Sequence, residues 1–251
     1  MNSLFSLDNR IALITGGSEG IGSMIAEGLT EQGASRVYVC DKELPENAPE
    51  NEKIIYIQSD ITTEEGREKL FCEISALEPY VNILINSSLA NTDDWEETVK
   101  YNMEAPVKLT QKFFPLLKAS TNPEEGTSIS TEQVLGKVIN LTTVDGVNPP
   151  QVPNFAFSST NAGMIHASKS FAVQYIRHKI VVSSITIGLF NTTPDQVTES
   201  NRLSVTQGIP AKRLGHKDDI VAAITYLASR AGDYCVGTHI VVDGGVAVLK
   251  G

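Results

Sequence analysis

The sequence predicts an α/β fold of the doubly wound kind: one domain over residues 1–251, with a seven-stranded parallel sheet and helices on both faces. Three observations carry this. Seven short runs rich in Val and Ile show no polar alternation, the pattern of strands buried on both faces. Helical patterns separate most of these runs, and strand–helix alternation at this spacing builds right-handed βαβ units. A glycine-rich turn follows the first run and opens the first helix.

Strands are expected, in chain order, at 10–15 (RIALIT), 36–40 (RVYVC), 54–57 (IIYI), 81–86 (VNILIN), 137–141 (KVINL), 180–187 (IVVSSITI) and 238–242 (THIVV). Helices are expected near 20–32, 64–77, 95–118, 157–178 and 217–229. No internal repeat is visible. Two polar stretches interrupt the pattern. Residues 119–136 (ASTNPEEGTSISTEQVLG) read as a mobile surface insertion. Residues 189–210 follow the sixth strand, where loops of an open α/β sheet cover ligands, so they read as a substrate-side lid.

Composition sets bounds on function. A chain of 251 residues, 41% hydrophobic, buries a core sufficient for one large domain. A net charge of −10 repels phosphate backbones and makes nucleic acid a poor partner. Cys40, Cys72 and Cys235 are scattered and odd in number, as in reduced thiols of a cytoplasmic protein. His166, His178, His216 and His239 show no ligand spacing, so no metal is expected. The opening MNSLFSLDNR lacks the layout of a signal peptide, and no apolar run approaches the length of a membrane span.

Thr15-Gly16-Gly17-Ser18-Glu19-Gly20-Ile21-Gly22 sits between the first strand and the first helix. Gly16, Gly20 and Gly22 let the backbone turn tightly and approach a pyrophosphate, while the helix N-terminus offers free N–H groups and a positive dipole end. Asp41, about 20 residues beyond the glycines, can accept hydrogen bonds from ribose hydroxyls and would repel a 2′-phosphate. Glu19 adds a second negative charge. Both favour NAD(H) over NADP(H), although Lys42 could partly reverse this. Asp60 can accept a hydrogen bond from the adenine amino group. A tight turn with no ligand, and two solvated surface acids, remain the plain alternatives.

These residues resemble the short-chain dehydrogenase/reductase family, over essentially the whole chain. TGGSEGIG is similar to its TGxxxGxG, and Ser59-Asp60-Ile61 to its adenine-contacting segment. Asn86-Ser87-Ser88-Leu89 sits at its Asn-Asn-Ala-Gly, keeping the first asparagine. Asn102 and Thr143 resemble its catalytic asparagine and serine. Ile187-Gly188 stands at its Pro-Gly, and Val242-Asp243-Gly244-Gly245 resembles its C-terminal signature. The resemblance implies a Rossmann-type fold, a nicotinamide cofactor held by Gly16, Ser18, Glu19, Gly20, Ile21, Gly22, Asp41, Asp60, Ile61, Asn86, Asn161 and Gly188, and a homodimer or homotetramer built on four-helix contacts. The apolar faces of 103–117 and 162–176 permit that pairing. Within the family, the opening SLxxRIALITGG and the 119–136 insertion look most like rhamnolipid-type β-ketoacyl reductases and their fungal relatives.

The family mechanism uses a tyrosine as proton donor and a lysine that lowers its pKa and holds the nicotinamide ribose. Here Phe157 stands at the tyrosine position and Asn161 at the lysine position. Thr143 to Phe157 is fourteen residues and Asn161 to Gly188 twenty-seven, close to the family spacings. Other pairs fit worse: Tyr175 and Lys179 lie at the far end of the helix, Tyr38 and Lys42 in the second strand. Reading Lys169 as the lysine would shorten the helix by roughly two turns, about 12 Å.

Phenylalanine has no proton to give, and loss of a positioned acid costs roughly 10²–10⁴-fold in rate. Asn161 is uncharged but can still hydrogen-bond a ribose hydroxyl. Ser158, Ser159 and Thr160 read as capping or decorating the helix start. Pro106 has no N–H for the Asn102 carbonyl, which leaves that carbonyl free for a water or marks a kink. Three readings follow. The first is an NAD-binding pseudoenzyme with a structural or regulatory role, possible partner of an active paralogue. The second is an NAD(P)-dependent carbonyl reductase of the 3-oxoacyl type with a divergent proton path through Thr143 and water. The third is a scaffold with no cofactor bound.

Overall fold

Burial on both faces decides the architecture. In the computed structural model, residues 4–45, 51–92, 94–121, 134–150, 153–192, 197–198 and 200–249 are described. The Val/Ile runs form β1 (Ile11–Thr15), β2 (Arg36–Asp41), β3 (Ile54–Gln58), β4 (Ile83–Asn86), β5 (Gly136–Thr143), β6 (Ile180–Ile187) and β7 (His239–Val242). They make one sheet in the order β3-β2-β1-β4-β5-β6-β7, every pair parallel. Strand order reverses direction between β1 and β4, which opens a crevice beyond their C-terminal ends.

Side chains alternate across the sheet. Ala12 and Ile14 of β1 pack with Ile25 and Leu29 of α1 (Gly20–Glu31) and with Ile220 and Ile224 of α7 (Lys217–Ala228). Ile11 and Leu13 face the opposite layer, with Leu70 and Ile74 of α2 (Glu64–Leu77), Leu109 and Phe113 of α4 (Ala105–Ala119), and Ala172 of α5 (Phe155–Tyr175). No helix among the described residues is long and apolar enough to cross a membrane.

Four elements differ from expectation. The helix expected over 95–118 is divided: α3 (Trp95–Val99) leads into a π-helical turn, Lys100–Glu104, before α4. Pro106 cannot donate to the Asn102 carbonyl, and the ladder widens just before it, with the Ala105 N–H reaching Lys100 O. Next, α5 starts two residues early, because Asn154 caps it by accepting from the Phe157 N–H at 2.9 Å. Ser158 and Thr160 instead bond back to carbonyls of their own helix and do not cap it. Finally, α6 (Arg202–Gly208) forms within the expected lid, and α8 (Val246–Leu249) follows β7. Within the expected insertion, 122–133 lie outside the described residues, as do 193–196 and 199 of the lid.

A buried polar chain links four elements near the centre of the sheet. Asn86 Nδ2 of β4 donates to Thr110 Oγ1 of α4 at 3.1 Å and to Asn140 Oδ1 of β5 at 2.7 Å. Asn140 Nδ2 donates to Ser168 Oγ of α5 at 2.8 Å, and that hydroxyl donates to Met164 O at 2.7 Å. Removing the middle member leaves polar partners in the dry core. Asn140→Ala is expected to lower stability by about 2 kcal/mol, read in thermal unfolding as a fall of about 4–8 °C in Tm for a chain of this size.

Candidate functional site

The C-terminal ends of β1 through β6 open on one cavity of about 480 Å³, a volume suited to a small-molecule or cofactor site. It runs across the sheet from the ends of β2 and β3, through the β1–α1 turn, to the ends of β5 and β6.

Gly16, Glu19, Gly20, Ile21 and Gly22 line it. Gly16 holds φ +65, and a Cβ there would stand 2.7 Å from Ser88 Cα, so the turn lies against the β4 loop only because the residue is glycine. Glu19 precedes α1 in extended conformation and its side chain caps nothing. The first N–H groups of α1 therefore have no partner inside the helix and suit a phosphate. Ser18 does not line the cavity. Its N–H instead donates to Asp41 Oδ2 at 3.3 Å, tying the glycine turn to the end of β2.

At that end Asp41 and Asp60 lie beside Lys42. Asp41 Oδ1 accepts from the Lys42 N–H at 2.8 Å. Lys42 Nζ lies 3.8 Å from Asp60 Oδ2, so its charge is answered by Asp60. Asp60 Oδ1 accepts from the N–H and the hydroxyl of Thr62 at 2.9 and 2.6 Å. Partial burial works against ionising Asp60, but the Thr62 bonds and the charges of Lys42 and Lys100 outweigh it and hold the carboxyl below its ordinary range. Asp41, Asp60, Ile61 and Glu19 all line the cavity. Below them, burial pushes the Cys40 thiol up to about 12, so it is an inert part of the wall.

The other end is built from β5, α5 and β6. Thr143, Val144, Asp145, Phe157, Ile187, Gly188 and Leu189 line it. Thr143 Oγ1 is buried with no hydrogen-bond partner among the described residues, in a residue that lines the cavity. Phe157 is 6% exposed.

Asn161 does not meet the expectation of a ribose contact. It is 1% exposed and lies outside the lining. Its Oδ1 accepts from the Thr143 N–H at 2.8 Å, and its Nδ2 donates to Phe157 O at 2.8 Å. The amide is short and is engaged by backbone before it can reach the cavity. Gly146 completes this joint: a Cβ there would stand 2.7 Å from Asn161 Cβ, so the turn Val144–Gly146 rests directly on α5.

Asn86 and Asn102 also lie behind the wall. Asn86 belongs to the buried polar chain, and its neighbours Ser87 and Ser88 face the cavity instead. Asn102 exchanges two bonds with Ala90, accepting from its N–H at 2.7 Å and donating to its carbonyl at 2.8 Å, and so holds the loop after β4. The competing Tyr/Lys pairs lie elsewhere. Tyr175 packs on Phe114 at a centroid distance of 4.9 Å, Tyr38 donates to Glu78 Oε1 inside the core, and Lys169 is exposed on α5. Asp145 and Tyr101 are among the lining residues that the sequence reading did not single out. Asp145 is two positions past Thr143, a proximity the sequence offered. Tyr101 lies in the π-helical turn, whose phase the α-helical period does not give. Among the described residues, no group of three or more His, Cys, Asp or Glu could hold a metal ion.

A family profile described as short chain dehydrogenase matches residues 10–202. The rhamnolipids biosynthesis 3-oxoacyl-[acyl-carrier-protein] reductase of Pseudomonas aeruginosa is 28% identical, over 98% of this chain and 99% of its own. Nodulation protein G of a Rhizobium species is also 28% identical, over 98% of this chain and 100% of its own. Two solved structures are similar. The Pseudomonas aeruginosa RhlG/NADP active-site complex has a TM-score of 0.86 at 28% identity, covering 98% of this chain and 100% of that one. A short chain dehydrogenase from Leptospira borgpetersenii with bound NAD⁺ has a TM-score of 0.80 at 26% identity, covering 98% and 96%.

The joint between the Thr143 turn and α5 has a direct test. Gly146→Ala forces a methyl group into backbone and is expected to lower stability by about 1–3 kcal/mol, several degrees of Tm by calorimetry. Displacement of the Val144–Gly146 turn should also change the accessibility of the cavity, read as slower quenching of a dye bound there.

Proposed function

The chain belongs to the short chain dehydrogenase family, and from that premise we propose that it binds NAD(H) without performing the family's carbonyl reduction. It serves instead in a structural or regulatory role. The observation that carries this is the cavity wall beside Thr143. Phe157 stands there, and Asn161 behind it is turned to the Thr143 N–H. The one tyrosine and one lysine of the described lining are Tyr101, in the turn before α4, and Lys42, after β2, so neither comes from β5 or α5. Neither residue at the family's tyrosine and lysine positions can donate a proton or supply a positive charge.

The glycine turn, the uncapped start of α1 and the unpartnered Thr143 hydroxyl fit a dinucleotide. When bound, that group supplies a hydride. Gly16, Gly20 and the first turn of α1 would hold its phosphates, Asp41 its adenosine ribose, and Asp60 and Ile61 its adenine. NAD(H) is favoured over NADP(H), because Glu19, Asp41 and Asp60 face the cavity against Lys42 alone, and Lys42 is directed at Asp60. Exposed apolar side chains on α5, Phe155 at 75% and Val173 at 77%, support pairing into a homodimer or homotetramer, or with an active paralogue. The proposed compartment is the cytoplasm.

A second reading is supported by the Thr143 hydroxyl: a carbonyl reductase of the 3-oxoacyl type whose proton comes through Thr143 and water.

Calorimetric titration of NAD⁺, NADH, NADP⁺ and NADPH tests the binding. NAD(H) is expected to bind at least about tenfold more tightly than NADP(H), about 1.4 kcal/mol, and Asp41→Ala to erase most of that difference. Equal affinity for both pairs would contradict the assignment of Asp41. Phe157→Tyr with Asn161→Lys tests the silenced site. The double variant is expected to gain roughly 10²-fold in NADH-dependent reduction of an acetoacetyl thioester. Wild-type activity equal to that of the variant would favour the second reading.

A further inference from the structure

We propose that the base of the sheet, at the strand ends opposite the cavity, holds a binding site for one small monovalent anion of the chloride class, between Arg10 and Lys137.

Strand alternation brings these two cations together. Ala12 of β1 and Ile139 of β5 face the layer of α1 and α7. Arg10 and Lys137 each stand two residues before one of them and so point to that same layer. Backbone bonds level them across the sheet. The Asn82 N–H donates to Ile11 O at 2.9 Å, and the Lys137 N–H to Asn82 O at 2.8 Å. β4 alone separates β1 from β5, so the two backbones run about 9–10 Å apart, within reach of two long side chains. The turn after α7 covers the pair, and its Asp233 Oδ1 lies 2.7 Å from Lys137 Nζ. Arg10 and Lys137 are both buried.

The charges here do not balance. Asp233 acts on both cations, and the cations act on each other. Two buried positive charges thus share one carboxylate, and Arg230 adds a further positive charge near Arg10. Among the described residues Lys137 pairs with Asp233 alone, and Arg10 forms no ion pair. Arg10 Nη1 and Lys137 Nζ are buried with no hydrogen-bond partner among the described residues, because the contact to Asp233 is an ion pair without hydrogen-bond alignment. Buried donors are costly when unpaired, and buried cations more so. Burial depresses the basicity of both groups in spite of Asp233.

One monovalent anion answers these demands together. It accepts from Arg10 Nη1 and Lys137 Nζ, and it brings two cations and two negative charges into balance. A halide accepts bonds from any direction and needs less room than an oxyanion. Asp233 beside the donors disfavours a divalent ion by like-charge repulsion. The Asp233 side chain is 24% exposed, which gives the site a route to solvent. Filled, it ties β1 and β5 to the turn after α7.

The test replaces sodium gluconate with sodium chloride at constant ionic strength and reads Tm by calorimetry. Tm is expected to rise with the logarithm of chloride concentration, by about 3–6 °C for each tenfold above half-saturation. Arg10→Met and Lys137→Met are each expected to lose that rise. Lys217→Met, at a separate ion pair with Glu27 and Glu31, is expected to keep it. Crystals soaked in bromide give a readout that needs no variant: an anomalous peak beside Arg10 Nη1 and Lys137 Nζ. That peak decides alone if either variant does not fold. A Tm that ignores chloride, a rise that persists in both variants, or ordered water without anomalous signal at that place each overturn the proposal.

Discussion

Both faces of the parallel sheet are covered by helices, so its polar backbone can meet a ligand only at the strand ends. The rest of the molecule follows from this constraint. Helices that pack on two faces must start and stop around the same edge, and the loops that join them there carry the cavity. The reversal of strand order between β1 and β4 parts those loops and gives the cavity its floor. The polar chain through Thr110, Asn86, Asn140 and Ser168 runs just beneath, where it registers two strands against two helices. Hydrogen bonds with alternating donors and acceptors are directional in a way that Val and Ile packing is not, so this chain fixes how α4 and α5 sit under the site.

The consequences of residue 161 are mechanical as well as chemical. A short amide at this position satisfies the Thr143 N–H and the Phe157 carbonyl together. It thereby joins the last residue of β5 to the first turns of α5 and lets Gly146 settle on the helix. The corner is thereby part of the core. Phe157 then closes an apolar wall over this joint. Phe157 and Asn161 are thus held together, because the Asn161 amide donates to the Phe157 carbonyl one turn before it.

Electrostatically the cavity has two unlike ends. Around β2 and β3, Asp41, Asp60 and Lys42 form a compact set of bonds with backbone donors and each other, suited to sugar and base. Around β5, one carboxylate and one unpartnered hydroxyl stand among apolar side chains. A polarity gradient of this kind orients a long ligand before any chemistry occurs.

The sequence by itself determined the sheet, its parallel sense and the phosphate-facing turn. Those depend on local signals: β-branched runs, strand–helix alternation, and glycines at Gly16, Gly20 and Gly22. It also located Asp41, Asp60, Thr143, Phe157 and Gly188 along one edge of the sheet, because each ends or soon follows a strand or lies in the first turn of a helix. Tertiary structure alone decided which side chains face the cavity. Asn86, Asn102 and Asn161 read as ligand contacts in the sequence, yet their amides are engaged with Asn140, Ala90 and Thr143, residues distant in the chain. An asparagine carries two donors and an acceptor that any nearby backbone can claim. Likewise, the widened turn before Pro106 brings Tyr101 to the cavity, a change of helical phase that no periodicity in the sequence announces.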